Sequence, residues 1–281
     1  LAMRGIVSTM GPDHPDYPVL ARIRDAIWRK TGGQECLELK LPLLISEAID
    51  FVVDPVRTGR NSLSDLDNVE KTFVGLKIEH FFRDFLDVPK GLRDLVIDGM
   101  DVDVKNTVSA TWMIPQETYK NADPCCLIAS AEDKGRCWLG LMLARDAYLG
   151  NQNQDKKRGV IANGFANIMW LVDGAELPPS HWKFIDMARF RELRKIKGGK
   201  KRAAQFFREN LGKKVHRTVI ESLLYDQRDF MKRVRGNGGA RDDLRKEGIV
   251  VLSGIYDAKE AKRRRIVLAR DEFVAVRVPK V

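Results

Sequence analysis

A twelve-residue run from Asp94 to Lys105 constrains the fold of this chain more than any other stretch. Its Asp98-Gly99 dipeptide is a strong signal for a two-residue hairpin turn, and strand-forming residues flank it on both sides. A turn at those two residues places Asp94 directly opposite Asp103. Because side chains alternate between faces along a strand, one face carries the apolar residues Leu95, Ile97, Met100, Val102 and Val104. The other face carries Asp94, Asp101, Asp103 and Lys105.

The charged face of this hairpin requires an explanation. Two carboxylates placed opposite each other lie about 5 Å apart at Cβ and repel, so a cation between them is expected. Mg²⁺ is the natural candidate, because it takes carboxylate, phosphate and water oxygens as ligands. Lys105 lies two residues from Asp103 on the same face, which suits metal-assisted phosphodiester hydrolysis. The alternative is a solvated polar hairpin whose acids only keep a sheet edge soluble.

A second candidate carboxylate lies on a segment with helical periodicity. Over residues 68–87 the apolar positions recur near the helical period, which predicts an amphipathic helix. Its less apolar side carries Glu79, which we expect to approach the hairpin as a third carboxylate. A solvated glutamate on a helix surface is the alternative interpretation.

The formal net charge of +10 is unevenly distributed over the 281 residues. Residues 1–171 carry 21 Lys and Arg against 24 Asp and Glu, a net of −3, whereas residues 172–281 carry 28 against 15, a net of +13. A cationic domain beside a slightly acidic one is typical of a nucleic-acid enzyme in which one part binds phosphates and the other holds a metal. A basic solvated surface is the alternative.

Cysteine and histidine usage indicates the compartment rather than the chemistry. The four cysteines form no C-x-x-C pair, and the four histidines show no zinc-ligand spacing. We therefore expect reduced, mostly buried thiols in a cytoplasmic protein. The N-terminus lacks the apolar run of a signal peptide, and no stretch approaches a membrane span, so no membrane association is expected.

Helix-like and strand-like segments predict the architecture. Helices are expected near residues 19–30 and 41–51, and strand-like pieces at 111–114, 126–129 and 137–143 follow the hairpin. These elements favour an α/β (α+β) fold in which helices flank a mixed sheet that contains the acidic hairpin. The Pro- and Gly-containing segment 172–180 indicates a linker between domains 1–171 and 181–281.

The basic C-terminal domain has the pattern of a winged helix-turn-helix. Helix-like segments joined by tight turns lead through Ala240–Lys246 to Gly248 and a strand at Ile249–Leu252. Which helix would enter a DNA groove stays open. The candidates for phosphate and base-edge contacts are Lys232, Arg233, Arg235, Asn237, Arg241, Arg245 and Lys246.

These motifs carry a family resemblance. The run Asp229-Phe-Met-Lys-Arg-Val-Arg-Gly-Asn-Gly-Gly-Ala-Arg241, continued by Leu244-Arg245 and Glu247-Gly248-Ile249, resembles the C-terminal DNA-binding domain of the NaeI-type restriction endonucleases. Further motifs, in order, are similar to the catalytic domain of that family: Arg57-Thr-Gly-Arg60, Glu70-Lys-Thr72 with Gly75 and Glu79, Val102-Asp-Val-Lys105, Trp112-Met113 with Pro115, and Leu149-Gly150 with Asp155 and Lys157-Arg158. The resemblance covers residues 57–252, whereas the first fifty residues and the last thirty match poorly.

The resemblance implies a Mg²⁺-dependent type II restriction endonuclease with a PD-(D/E)xK catalytic domain. Its active-site pattern appears here as Asp94, then Asp103-x-Lys105, with Glu79 from the helix. The resemblance further implies a homodimer on double-stranded DNA with a GC-rich palindromic site of the GCCGGC kind. It also implies that the second domain, similar to the catabolite-activator type, binds another DNA copy and activates cleavage.

We assign Asp94, Asp103 and Glu79 to metal binding, Glu79 as a supporting ligand or water-positioning group. Lys105 would orient the nucleophile and stabilise charge on the phosphorane. Two rival functions stay open: a DNA-nicking or mismatch-repair endonuclease of the same fold, and a catalytically inactive DNA-binding regulator. The complete set of Asp94, Asp103 and Lys105 argues against the second rival.

Overall fold

The computed structural model describes residues 6–278. They form two compact units, one comprising the chain up to Val53 with Leu63–Ser180, and the other comprising Asp54–Ser62 with the chain from His181 onward. The α-helices of the described residues are α1 (Tyr17–Thr31), α2 (Gln34–Val53), α3 (Pro55–Thr58), α4 (Asn68–Leu86), α5 (Gln116–Tyr119), α6 (Ala162–Ala166), α7 (Met187–Lys195), α8 (Gly199–Glu209), α9 (Arg217–Leu223), α10 (Phe230–Val234), α11 (Ala240–Lys246) and α12 (Ala258–Arg263). The strands are β1 (Leu95–Ile97), β2 (Met100–Thr107), β3 (Met113–Ile114), β4 (Pro124–Ala131), β5 (Arg136–Leu143), β6 (Leu149–Gln152), β7 (Arg158–Val160), β8 (Met169–Glu176), β9 (Lys214–His216), β10 (Ile249–Ser253) and β11 (Glu272–Arg277).

A mixed five-stranded sheet forms the centre of the first unit. Its strand order is β1-β2-β4-β5-β8, with β2 and β4 parallel and the other neighbours antiparallel. Successive residues of β4 point to opposite faces, so Cys126 packs with the core that α1, α2 and α4 cover, whereas Cys125 packs with Trp112 and Phe165 on the other face. The predicted mixed sheet flanked by helices is therefore confirmed.

Helix α4 is fixed at its start and along its buried face. Asp67 accepts a hydrogen bond from the Glu70 backbone N–H while the Glu70 carboxylate accepts one from the Asp67 backbone N–H, a capping box that satisfies two backbone donors. Val74, Ile78 and Phe82 are fully buried. This face anchors the helix against the sheet, as the periodicity predicted.

The chain passes from the first unit to the second after Ser180, at the end of the segment that composition suggested as a linker, but the first part of that segment is not a linker. Residues 172–176 belong to β8, where Leu171 and Val172 are buried and Val172 pairs with Leu139 of β5, so they are part of the sheet rather than of a linker. Apolar pairing with β5 outweighs the turn propensity of the Gly174 that follows. The segment Asp54–Ser62 also groups with the second unit, because Val56 packs against that unit's core and the Arg191 guanidinium donates to the Arg57 carbonyl oxygen.

The second unit consists of helices around a small antiparallel sheet. Its strand order is β10-β11-β9. Phe190, Phe206 and Phe207 lie in its core and contact one another edge to face. Gly248, with φ of +72°, ends α11 in a left-handed conformation and turns the chain into β10, as expected for a helix-capping glycine.

Two predictions from composition concern the cysteine thiols and membrane-spanning helices. All four cysteines are free thiols, and Cys125, Cys126 and Cys137 are buried, which confirms the prediction of mostly buried thiols. Between residues 6 and 278 no helix is long and apolar enough to cross a membrane.

Candidate active site

The acidic hairpin forms with the register predicted from its sequence. Leu95 pairs with Val102, Val96 with Asp101 and Ile97 with Met100. Asp98 and Gly99 have φ values of +50° and +75°, as a type I′ turn requires at both of its central positions. The apolar face of the hairpin joins the core under α4, so the charged face points away from that core.

Asp103 is the most deeply buried carboxylate of the site, with only 2% of its surface exposed. One of its oxygens contacts the ammonium of Lys105, and the other accepts a hydrogen bond of 2.6 Å from the Thr118 hydroxyl. The Lys105 ammonium also lies 3.8 Å from Asp94 Oδ2, which accepts a hydrogen bond of 2.6 Å from the Val104 backbone N–H. The carboxylate pair that the register predicted is therefore held together by a single ammonium.

Glu79 reaches the same place from α4. Its carboxyl group lies within hydrogen-bonding range of Asp94, and it experiences the charges of Lys105 and Asp103. Burial raises the pKa of Glu79, and the nearby Lys105 ammonium only partly opposes that effect. The structure therefore brings together all four residues that the sequence proposed for the site.

Burial and the neighbouring charges shift the pKa values of Asp103 and Lys105. Desolvation raises the pKa of Asp103, and the neighbouring Asp94 carboxylate adds to the increase, while Lys105 and Thr118 oppose it. Burial lowers the pKa of Lys105, but the charges of Asp103 and Asp94 more than compensate, so its pKa is raised. The Lys105 ammonium thus stays protonated, and burial makes the charged forms of Asp103 and Glu79 more costly than in water.

The carboxylates suit a hard divalent cation in their chemistry. Among residues 6–278, no three or more His, Cys, Asp or Glu side chains are already arranged to hold a metal ion. The reason is visible at Lys105, whose ammonium lies between Asp94 and Asp103. Three carboxylates facing one ammonium nevertheless leave negative charge in excess, and carboxylate oxygens are the donors that Mg²⁺ prefers. Three carboxylates therefore fit a hard divalent cation in the chemistry of their donor atoms.

One residue that binds the site was not anticipated from the sequence, and one residue expected on the charged face does not join the cluster. Thr118, on the short helix α5, is fully buried and binds Asp103, but no sequence signal connects a lone threonine to an aspartate fifteen positions earlier. Asp101 faces the charged side yet does not join the cluster, because its two oxygens each accept a 3.0 Å hydrogen bond from the Arg93 backbone N–H. Asp101 therefore fixes the approach to β1.

The predicted DNA-contacting residues lie in the second unit on and between α10 and α11. Lys232, Arg233, Arg235, Asn237, Arg245 and Lys246 are exposed. Arg233 Nε donates a hydrogen bond of 2.7 Å to the Gln227 side-chain oxygen. Asn237 occupies a left-handed turn position with φ of +59°. Most of the predicted set is thus accessible on this part of the unit.

Arg241 differs from the other members of that set. Its guanidinium Nη2 lies 2.9 Å from Asp257 Oδ2, and only 19% of its side chain is exposed. An arginine held in this way is first of all a structural group of the second unit. Its sequence neighbours gave no sign of the ion pair, because Asp257 lies beyond β10.

Comparison with known proteins gives the same assignment as the geometry. The family model of the restriction endonuclease NaeI matches residues 40–281. The type II restriction enzyme NaeI of Lentzea aerocolonigenes is 32% identical over 225 residues, which cover 74% of this chain and 68% of the relative. The chain belongs to the NaeI restriction endonuclease family.

Membership of the NaeI restriction endonuclease family confirms the resemblance found in the sequence and extends it beyond residues 57–252. It also confirms the predicted enzyme class, a site-specific deoxyribonuclease. A mixed sheet flanked by helices fits the catalytic domain of a restriction endonuclease. In this member of the NaeI family, Glu79, Asp94, Asp103 and Lys105 form a cluster in which Asp103 is buried and the other three residues are half-buried.

Proposed function

We propose that this chain is a Mg²⁺-dependent type II restriction endonuclease that hydrolyses both strands of double-stranded DNA at a specific sequence. The observation that carries the proposal is the convergence of Glu79, Asp94 and Asp103 on Lys105 in a member of the NaeI family. A solvated polar hairpin would leave Asp103 exposed, whereas Asp103 is buried and hydrogen-bonded. The cluster therefore has the properties of a functional site.

Each residue of the cluster has a role that follows from its surroundings. Asp94, Asp103 and Glu79 would hold Mg²⁺, which supplies Lewis acidity toward a phosphoryl oxygen when bound. Lys105 keeps its proton beside two carboxylates, so it can orient the attacking water and stabilise the charge that develops on the scissile phosphate. Val104 and Thr118 donate hydrogen bonds to Asp94 and Asp103 and orient the two carboxylates.

We propose that the second unit is a winged helix-turn-helix domain of the catabolite-activator type. In its support, α8, β9, α9, α10 and α11 are followed by the antiparallel strands β10 and β11, which a segment containing α12 connects, and β11 lies between β10 and β9 in the sheet. The net charge of +13 over residues 172–281 suits contact with DNA phosphates. We further propose that this domain binds a second copy of the recognition sequence and thereby activates cleavage, and that the protein acts in the cytoplasm.

A homodimer on a GC-rich palindrome is part of the same proposal, because cutting both strands symmetrically takes two active sites. The outward face of α4 supports it. Val69, Phe73 and Leu76 recur on that face with 66%, 54% and 49% of their surfaces exposed. In an antiparallel pair of α4 helices centred after Leu76, Glu70 of one copy would approach Arg83 of the other, so the face is complementary to itself.

Plasmid cleavage tests the proposal. Supercoiled plasmids carrying one, two or no copies of several GC-rich palindromes are incubated with the protein in Mg²⁺ or in EDTA, and the ends are sequenced. Mg²⁺-dependent double-strand cuts at one sequence support it, and faster cutting of two-site plasmids supports activation by a second DNA copy. Nicks in one strand would favour the nicking or mismatch-repair endonuclease, and DNA binding without cuts would favour the inactive regulator.

A further inference from the structure

The second unit contains a cavity of about 420 Å³ that is separate from the acidic cluster. It is bounded by the first residue of α9, the chain around α10 and α11, and the segment that joins β10 to β11. This volume lies within the usual range for small-molecule sites, about 300–1,000 Å³. The lining residues are Arg217, Met231, Arg235, Arg241, Ser253, Ile255, Tyr256, Arg270, Asp271 and Phe273.

The lining combines two kinds of chemistry. Four arginines line the cavity. Arg241 is paired with Asp257 and Arg235 lies 3.8 Å from Asp229, but Arg217 and Arg270 add positive charge against the single acidic lining residue Asp271, so the cavity favours an anion. Tyr256 and Phe273 provide aromatic surface, and Met231 and Ile255 extend the apolar part. An anion with a planar, weakly polar ring matches both halves of this lining better than an inorganic anion does.

Arg241 has one N–H donor that the surrounding protein leaves unpaired. Its Nη2 is paired with Asp257, but its Nε is buried with no hydrogen-bond partner in the structure. Buried N–H groups in proteins are almost always paired, and an unpaired one requires an explanation. Because that N–H is closed off from the open part of the cavity, the donors available to an occupant are those of the exposed Arg235 and Arg270.

The walls of the cavity are fixed rather than loosely packed. Asp257 Oδ2 accepts hydrogen bonds from the backbone N–H and the hydroxyl of Ser253, at 2.9 and 3.0 Å, in addition to the Arg241 contact. At Gly254 a Cβ atom would lie 1.8 Å from the Ala269 carbonyl oxygen, so the chain leaving β10 and the chain entering β11 approach each other closely there. The cavity is therefore held in shape without a ligand, which lowers the entropic cost of binding.

We propose that this cavity binds a single nucleotide unit, a heteroaromatic base with its phosphate. Aromatic side chains and guanidinium planes stack on bases irrespective of sequence, and arginine binds phosphate oxygens through paired N–H donors. The nucleotide has two conceivable sources, a free mononucleotide or a nucleotide turned out of bound duplex DNA. The second source rests on the proposed DNA binding of this unit, and the first does not.

The full chain in EDTA, where cleavage is blocked, serves for the test. Binding of dAMP, dCMP, dGMP, dTMP and inorganic phosphate is measured by calorimetry, and duplexes with 2-aminopurine at successive positions report a base that leaves the stack. The variants are Tyr256→Ala and Arg270→Ala, which change exposed residues of the lining. Matched controls are Phe184→Ala and Arg263→Ala, which change exposed residues outside it.

Two results support the proposal and identify the source. Mononucleotide binding that Tyr256→Ala or Arg270→Ala weakens roughly tenfold, with the controls unchanged, indicates a free nucleotide. A 2-aminopurine fluorescence increase at one duplex position, abolished by Tyr256→Ala and retained in Phe184→Ala, indicates an everted nucleotide. Phosphate binding as tight as nucleotide binding, or the absence of both signals, would overturn the proposal. Plasmid cleavage in Mg²⁺ with the same preparation reports separately on the nuclease.

Discussion

The Thr118 hydroxyl donates a hydrogen bond of 2.6 Å to Asp103 Oδ2, and both residues are buried. The other oxygen of Asp103 contacts Lys105, so the carboxylate is held from two sides. These two contacts fix the orientation of the Asp103 carboxylate before a substrate or ion binds. Thr118 is therefore a positioning residue of the site rather than a packing residue alone.

Replacing Thr118 tests this positioning role. Thr118→Val keeps the shape and removes the hydroxyl, so we expect cleavage to fall by about 10- to 100-fold and to need more Mg²⁺ for half-maximal rate, as for other groups that orient metal ligands. Thr118→Ser keeps the hydroxyl and should restore most of the activity. The measurement is the cleavage rate against Mg²⁺ concentration for the two variants. Equal losses in both would mean that Thr118 only packs.

Lys105 and Asp103 should be required for cleavage and dispensable for DNA binding. Lys105→Ala removes the cation beside the scissile phosphate, and Asp103→Ala removes the most buried carboxylate, so we expect each to reduce the rate by at least about 10³-fold. Lys134→Ala, an exposed lysine in the turn between β4 and β5, serves as the control. Rates come from single-turnover cleavage and affinity from gel shifts in EDTA. Parental activity in either variant would refute the assignment.

The hairpin was predictable because its determinants are local. Asp98-Gly99 fixes the turn, the turn fixes the register, and alternation places Asp94 and Asp103 on one face. Helical periodicity indicates that Glu79 lies on the less apolar side of α4, whereas its approach to Asp94 and Lys105 depends on how α4 packs on the sheet. Thr118 was not predictable, because its contact with Asp103 depends on how the chain returns between β2 and β4, and no local pattern encodes that path.

The second unit shows the same division between local and distant determinants. The basic residues and the α11–Gly248–β10 sequence follow from composition and capping. The membership of Asp54–Ser62 depends instead on distant contacts, among them the packing of Val56 and the hydrogen bond from Arg191 to the Arg57 carbonyl oxygen. The ion pair of Arg241 likewise depends on Asp257, a residue sixteen positions away. Distant pairings of this kind decide which arginines are available to a ligand.

Acid should destabilise the second unit through Arg202 and Asp226. The Arg202 side chain is 3% exposed, and its hydrogen bonds lower the pKa of Asp226 to about 2 from 3.8. Because the folded-state pKa is depressed, the pair contributes its full stability above about pH 4 and loses it as the pH falls toward 2. Unfolding temperatures measured from pH 7 to pH 2.5 should decline over that window.

Substituting Asp226 and Arg202 one at a time separates the contributions of the two residues to the free energy of unfolding. Asp226→Asn leaves the buried guanidinium without its counter-charge and should cost about 3 kcal/mol in the free energy of unfolding. Arg202→Met fills the same space and leaves an aspartate that water can reach, so we expect a smaller loss, about 1–2 kcal/mol. Both should reduce the decline in unfolding temperature between pH 4 and pH 2.5. A decline equal to that of the parent would exclude this pair as its cause.

The outward face of α4 yields the prediction for assembly. Leu76→Glu places like charges together if two copies pack through this face, and we expect a monomer by light scattering whose double-strand cleavage gives way to slow nicking. Glu70→Arg should weaken the dimer by repulsion from Arg83 of the other copy, but it also removes the carboxylate of the capping box, so the decisive result is recovery of the dimer mass when Arg83→Glu is added. Leu39→Glu, at an apolar position on α2 that is 73% exposed against 49% for Leu76, serves as the control. A parental mass for Leu76→Glu would place the dimer contact elsewhere, because a carboxylate at the centre of an apolar contact cannot be buried without a large loss of affinity.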